Sequence, residues 1–160
     1  MFLSRLFNSL NNSMQEQAVI QILELNEKTQ SFGLVLSPDE ARQMIAARNQ
    51  VLHNYGRVEL SIEVTKELIE VFSESPHIRV EDYASTLNEL HEIFYYLKNE
   101  TEDKIGDSRL IELMRELYDE DCGGSLDLLK SRLEEYAEVF RREVQMKEAK
   151  AMLEGDDKST

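Results

Sequence analysis

The segment His91 to Asp103, HEIFYYLKNETED, places an imidazole, two phenols and four carboxylates within a short span. Those groups can ligate a metal, hold a cation or move a proton, so their spacing decides which chemistry is open. Zincin-type zinc binding needs a second histidine four residues after the first, so that both rings reach one ion from one helix face. Tyr95 stands there instead. Carboxylate-bridged di-metal bundles need a glutamate three residues before each histidine. Asn88 precedes His91 at that spacing and Gln50 precedes His53, while Pro76 interrupts the Glu74–His77 pair. The metal reading that survives is a loose cation site using Glu89, His91, Glu92 and acids from other helices. The packing reading is favoured. His91 lies one turn from Leu87, Phe94 and Tyr95, at the border of an apolar stripe, and is expected to hydrogen-bond inside the bundle. Tyr95 and Tyr96 point about 100° apart on a helix, so at most one of them is central to a core.

Three further places bear on chemistry. Asp119 to Lys130, DEDCGGSLDLLK, mimics a calcium loop, with Asp119, Asp121 and Asp127 at ligand positions. Its fifth position is Gly123 and its twelfth is Lys130, where a bidentate glutamate is required, so calcium binding is not expected. Cys122 precedes a helix start, which favours a thiolate, but Asp119, Glu120 and Asp121 oppose a further negative charge. Arg48 falls within the apolar face Ala41, Met44, Ile45, Val51, Leu52, Tyr55 and must find an acceptor, with Glu59 or a glutamate on a neighbouring helix the expected partner. Together Arg48 and Arg57 are the candidate anion contacts. No glycine-rich phosphate loop and no nucleophile elbow are present. No catalytic residue, metal or cofactor is therefore assigned, and the candidate ligand-binding set is Arg48, Arg57, His91, Glu92 and Tyr95.

The elements that must position these residues read almost throughout at helical period. Phe2, Leu3, Leu6, Phe7 and Leu10 form a first stripe, and Ala18, Ile22 and Leu25 a second. Ser37-Pro38-Asp39-Glu40 is a capping box with proline at the first helical position, and Gly56 suits the residue after that helix. Further helices are predicted over Leu60 to Ser73 (Leu60, Val64, Leu68 and Phe72 inward), Glu81 to Asn99, and Asp107 or Ser108 to Tyr118. A long last helix starts at Ser125, carrying Leu126, Leu129, Leu133, Tyr136, Ala137, Phe140 and Val144 inward. Val58 to Ile62 also fits a short strand, though no partner strand is evident. The chain is thus expected to be all-α: a single-domain bundle of about five or six helices with a long C-terminal helix. The expected divisions are an N-terminal amphipathic segment (1–14), a helical domain (15–154) and a disordered tail (155–160).

Composition narrows the function further. The chain has 160 residues, 41% hydrophobic and 31% charged, enough for one self-sufficient core. Its 18 basic against 32 acidic residues give a net charge of −14, which repels phosphate backbones and argues against a nucleic-acid partner. Between Glu81 and Asp121 there are 13 acids and four bases, so negative potential concentrates around the opening segment. Cys122 is the sole cysteine, which suits a reducing cytoplasm. The N-terminal stretch lacks an uninterrupted apolar run and a cleavage site, and no segment has the length of a membrane span. The Phe2, Leu3, Leu6, Phe7 and Leu10 stripe fits docking on a partner or folding back on the parent domain, and leaves peripheral membrane contact through Phe2, Leu3, Leu6 and Phe7 as a minor option, weakened by the net charge.

Three segments carry a resemblance: ARNQVLHNYGRVE (Ala47 to Glu59), HEIFYYLKNETED, and the Cys122-Gly123-Gly124-Ser125 turn. They resemble an uncharacterised family of small acidic helical bacterial cytoplasmic proteins, over about Ile20 to Arg141. The resemblance implies a single helical domain and supplies no catalytic residue. The expected function is a non-enzymatic protein-interaction or regulatory domain, acting with a protein partner or as a homo-oligomer. The alternative is a small-ligand or metal-binding helical protein with an inter-helical pocket near His91 and Arg48.

Overall fold

The computed structural model describes the backbone of residues 2–158, with side chains through Gly155. Its helices in chain order are α1 (Phe2–Glu24), α2 (Asn26–Thr29), α3 (Pro38–Asn54), α4 (Glu63–Phe72), α5 (Tyr83–Glu100), α6 (Asp107–Asp119) and α7 (Leu126–Lys158). α2 is a single turn, so six long helices build the fold, and no strand forms among the described residues. The chain is an all-α single domain with a long C-terminal helix.

Local chemistry explains the boundaries. The Ser37 hydroxyl accepts from the Glu40 amide while the Glu40 carboxylate accepts from the Ser37 amide, so α3 starts at Pro38 with two otherwise orphaned donors satisfied. It ends at Gly56, which takes a left-handed φ of +64°. α4 starts three residues later than periodicity suggested, at Glu63. Leu60, expected to point inward, is instead exposed along with Val58, because residues 57–61 form an open loop rather than a helix turn or a strand.

α5 is the centre of the bundle and packs against α3, α4, α6 and α7. Its buried residues run almost all round it, from Tyr83, Leu87 and Leu90 to Phe94, Tyr95 and Leu97, as a helix enclosed by neighbours requires. α4 and α6 pair on one side through Phe72 and Tyr118, whose rings meet edge to face at 5.5 Å. α7 covers α5 and α6 with Leu129, Leu133 and Ala137, then runs on with Gln145 to Gly155 all exposed. The helix continues to Lys158, through the start of the expected tail, whose last two residues lie outside those described.

α1 meets the body along its C-terminal half, where Val19 and Ile22 pack on α3 and Glu16 pairs with Arg42. Every side chain from Phe2 to Gln17 is exposed. The helix is continuous across the expected boundary at 14/15. Among the described residues, no helix is long and apolar enough to cross a membrane.

Candidate functional site

Three of the five candidate residues, Arg48, His91 and Tyr95, are buried between α3, α4, α5 and the 57–61 loop, in two separate hydrogen-bonded sets: Arg48 and Tyr95 share Glu59, and His91 bonds Thr65 and the Leu87 carbonyl. Arg48 is buried on α3, and its Nη2 donates to the carbonyls of Glu59 (2.8 Å) and Ser61 (2.7 Å), while Nη1 donates to Asn49 Oδ1 (2.8 Å). The guanidinium therefore fastens the loop by its backbone, and Glu59 reaches Arg48 through its carbonyl instead of its carboxylate. That carboxylate turns to α5, where Oε2 accepts from the Tyr95 hydroxyl at 2.5 Å. Burial raises the Tyr95 pKa, and the hydrogen bond to Glu59 raises it further, so the phenol stays protonated and donates.

His91 sits one turn earlier on α5. Its Nδ1 lies 2.7 Å from the Leu87 carbonyl, which can only accept, so Nδ1 carries the proton. Nε2 is then the acceptor for the Thr65 hydroxyl of α4 at 2.8 Å. Burial holds the imidazole pKa down to about 4; the Leu87 carbonyl works against this and the Arg48 charge adds to it. Both ring nitrogens are thus occupied by the protein. Sequence reasoning missed Thr65. The available signal was its register, since Thr65, Leu68, Ile69 and Phe72 share the buried face of α4.

Glu92 and Arg57 lie elsewhere. Arg57 pairs with Asp103 at 2.6 Å, joining the loop after α3 to the turn after α5. Glu92 faces outward from α5 into a concavity of about 500 Å³ between α3, α5 and α7. Val51, Tyr55, Ile93 and Tyr96 line it together with the charged Glu89, Asp127, Lys130 and Glu134. The Tyr55 pKa is raised by burial and then by Glu92, and that of Tyr96 by burial and then by Glu134. This concavity is acidic and would repel an anion. Arg48 borders a different and smaller recess of about 160 Å³ under α1, with Met14, Ile45 and Glu59. The five candidates therefore divide among two buried hydrogen-bonded sets, a surface ion pair and an outer concavity.

The remaining candidates are structural in their contacts. Asp119 accepts from the Ser75 hydroxyl (2.6 Å) and from Arg115 Nε (2.5 Å), which commits the first position of the calcium-like loop to the α4–α6 junction. Cys122 is buried, and its pKa is raised by burial and then by Asp121. Among the described residues, no three of His, Cys, Asp or Glu come together as a metal-ligand set.

The largest uncovered apolar feature is α1. Phe2, Leu3, Leu6, Phe7, Leu10 and Met14 are all exposed, with Phe2 at 78% and Phe7 at 65%. At 100° per residue these six share an arc centred roughly 150° from the direction of Val19 and Ile22, the face that α1 turns to its own body. Phe2, Leu3, Leu6, Phe7 and Leu10 stand clear of the body, whereas Met14 also borders the recess it shares with Ile45 and Arg48.

The profile of the family described as "Family of unknown function (DUF6323)" matches residues 21–146, more than three quarters of the chain. That range nearly coincides with the one drawn from the three sequence segments. No curated protein and no solved structure matches.

Proposed function

We propose a role argued from the chain's own surfaces, since it belongs to that family of unknown function: a non-enzymatic interaction module that docks a protein partner through the apolar face of α1. The observation carrying this reading is the direction of the stripe. Six large apolar side chains line one face of a helix, and that face points away from the protein's own core. Exposed apolar clusters of this kind mark interaction sites. The segment from Ser4 to Ser13 is also rich in serine and asparagine, which are weak helix formers. A helix of that composition with no covering surface is marginal in water and gains its stability from packing.

The body supplies a rigid mount. Val19 and Ile22 anchor α1 to α3, and the Arg48–Glu59–Tyr95 and His91–Thr65 contacts lock α3, α4 and α5 together beneath it. On this reading the buried contacts position helices. The alternative of a ligand pocket at His91 and Arg48 draws less support, because both imidazole nitrogens and the Arg48 fork are occupied by protein groups. The acidic surface and one buried, protonated cysteine suit a bacterial cytoplasm, the setting in which we place the module.

Analytical ultracentrifugation paired with capture from cell lysate tests the reading on the wild type and on a Phe7→Glu, Leu10→Glu variant. Both positions are exposed, so the variant keeps its fold. A protein complex present in the wild type and lost in the variant is the expected result. A solitary monomer with the same captured proteins in both chains contradicts it.

A further inference from the structure

We infer that the occupant of the α1 stripe is a second copy of this chain, paired antiparallel along the same stripe; this rests on the docking role proposed above. Spacing says that the occupant is a helix. Leu3, Phe7, Leu10 and Met14 recur at intervals of four, three and four, the knob spacing of a two-helix seam. Phe2 and Leu6 widen one flank of it.

Charge says which helix. From Phe2 to Gln15 the only charged residue is Arg5, in a chain of net charge −14. A basic partner would be met by acids along the seam, and there are none. An anionic lipid surface would be met by flanking cations, and Arg5 stands alone. A neutral, apolar, heptad-spaced helix matches the stripe, and this chain supplies one at its own N-terminal end. Identical patches that face each other across a two-fold axis are self-complementary by construction.

Charge also sets the direction. Parallel pairing would bring two strongly acidic bodies side by side. Antiparallel pairing puts them at opposite ends of the 16 exposed residues, Phe2 to Gln17. That segment spans about 24 Å, roughly three Debye lengths at physiological salt. In this register Leu3 faces Met14 of the second copy and Phe7 faces Leu10.

The test replaces Phe7, in the full chain, with a photoreactive phenylalanine analogue, and irradiates both the purified protein and the cells that express it. The expected product has twice the 18.6 kDa chain mass, and its cross-link joins position 7 to the neighbourhood of Leu10 in the second copy. In a Leu10→Glu background, self-association should weaken by about a hundredfold or more, since a carboxylate would enter the apolar seam. Circular dichroism of that variant monitors the fold, and Leu10 is exposed, so its replacement disturbs no core contact. Cross-links from position 7 to position 7 would overturn the antiparallel arrangement, and an undiminished product in the Leu10→Glu chain would overturn the seam. Adducts only to a different protein would overturn self-pairing while leaving the docking role intact. Adducts only to lipid, or none, would overturn both.

Discussion

Acid should act on this protein through one histidine. His91 is fully enclosed, with Nδ1–H bound to the Leu87 carbonyl and Nε2 accepting from Thr65, so protonation of Nε2 forces the Thr65 hydroxyl to turn from donor to acceptor and places a buried charge near Arg48. Its pKa falls from an ordinary 6.5 to about 4 in the fold. The sign follows from proton counting. Between those values the unfolded chain holds a proton that the folded chain refuses, so stability decreases as pH falls through that window and the full penalty is reached below about 4. At a pH of about 4.5 the cost is on the order of 2.5 kcal/mol, a large share of a typical domain's stability. Many carboxylates titrate nearby in pH, so the assay must isolate the imidazole. Urea unfolding of the wild type and of His91→Gln, at several pH values from about 7 down to about 4.5, does this by difference. The variant is less stable at neutral pH, where it loses the histidine's packing and hydrogen bonds, but its pH slope should be shallower by about 2.5 kcal/mol over that range. Parallel slopes would refute the enclosure of a neutral His91.

Substitutions at two further places, Arg48 and the Gly123-Gly124 turn, probe how the body is held together. Arg48→Met keeps the aliphatic bulk but strands the Glu59 and Ser61 carbonyls; because that loop is partly exposed and can turn to water, the expected loss is about 2–3 kcal/mol, read as a drop of several degrees in Tm, with Arg48→Lys recovering part of it. Gly124→Ala should cost more than Gly123→Ala, as judged by urea midpoints. Both glycines have left-handed φ, but an added Cβ at Gly124 would lie 2.6 Å from His77 Cβ whereas at Gly123 it meets nothing, so about 2–3 kcal/mol is expected against about 1 kcal/mol.

What was legible in the sequence was what is local. The Ser37–Glu40 capping box, the Gly56 stop and the long stripe from Leu126 to Ala137 depend on residues within a turn or two of each other, and all three stand in the fold. Tyr95 is buried and Tyr96 only half-buried, as their 100° offset requires. Partnerships across helices were hidden. The Glu59 carboxylate answers Tyr95, 36 residues away, and Arg48 answers backbone carbonyls, which no residue type advertises. Leu60 fitted an apolar helix pattern and Val58 a short strand, yet the Arg48 fork fastens that stretch as a loop and leaves both in water. The concavity that Glu92 shares with Tyr55, Asp127 and Glu134 needs α3, α5 and α7 assembled before it exists. The α1 stripe was visible as a pattern, but its orientation away from the body was not, since that depends on which face Val19 and Ile22 present to α3.

The most direct test of α1 as a self-pairing surface is amide hydrogen exchange along that helix. A helix with every side chain from Phe2 to Gln17 in water is protected only if something covers its apolar face. Measured on the purified full chain over about a hundredfold range of concentration, protection of the amides from Leu6 to Gln17 should rise with concentration, because pairing is second order in protein. The Leu10→Glu chain should lose that protection while α3 and α5 keep theirs. Exchange at the rate of an unstructured peptide at every concentration, in wild type and variant alike, would contradict the account.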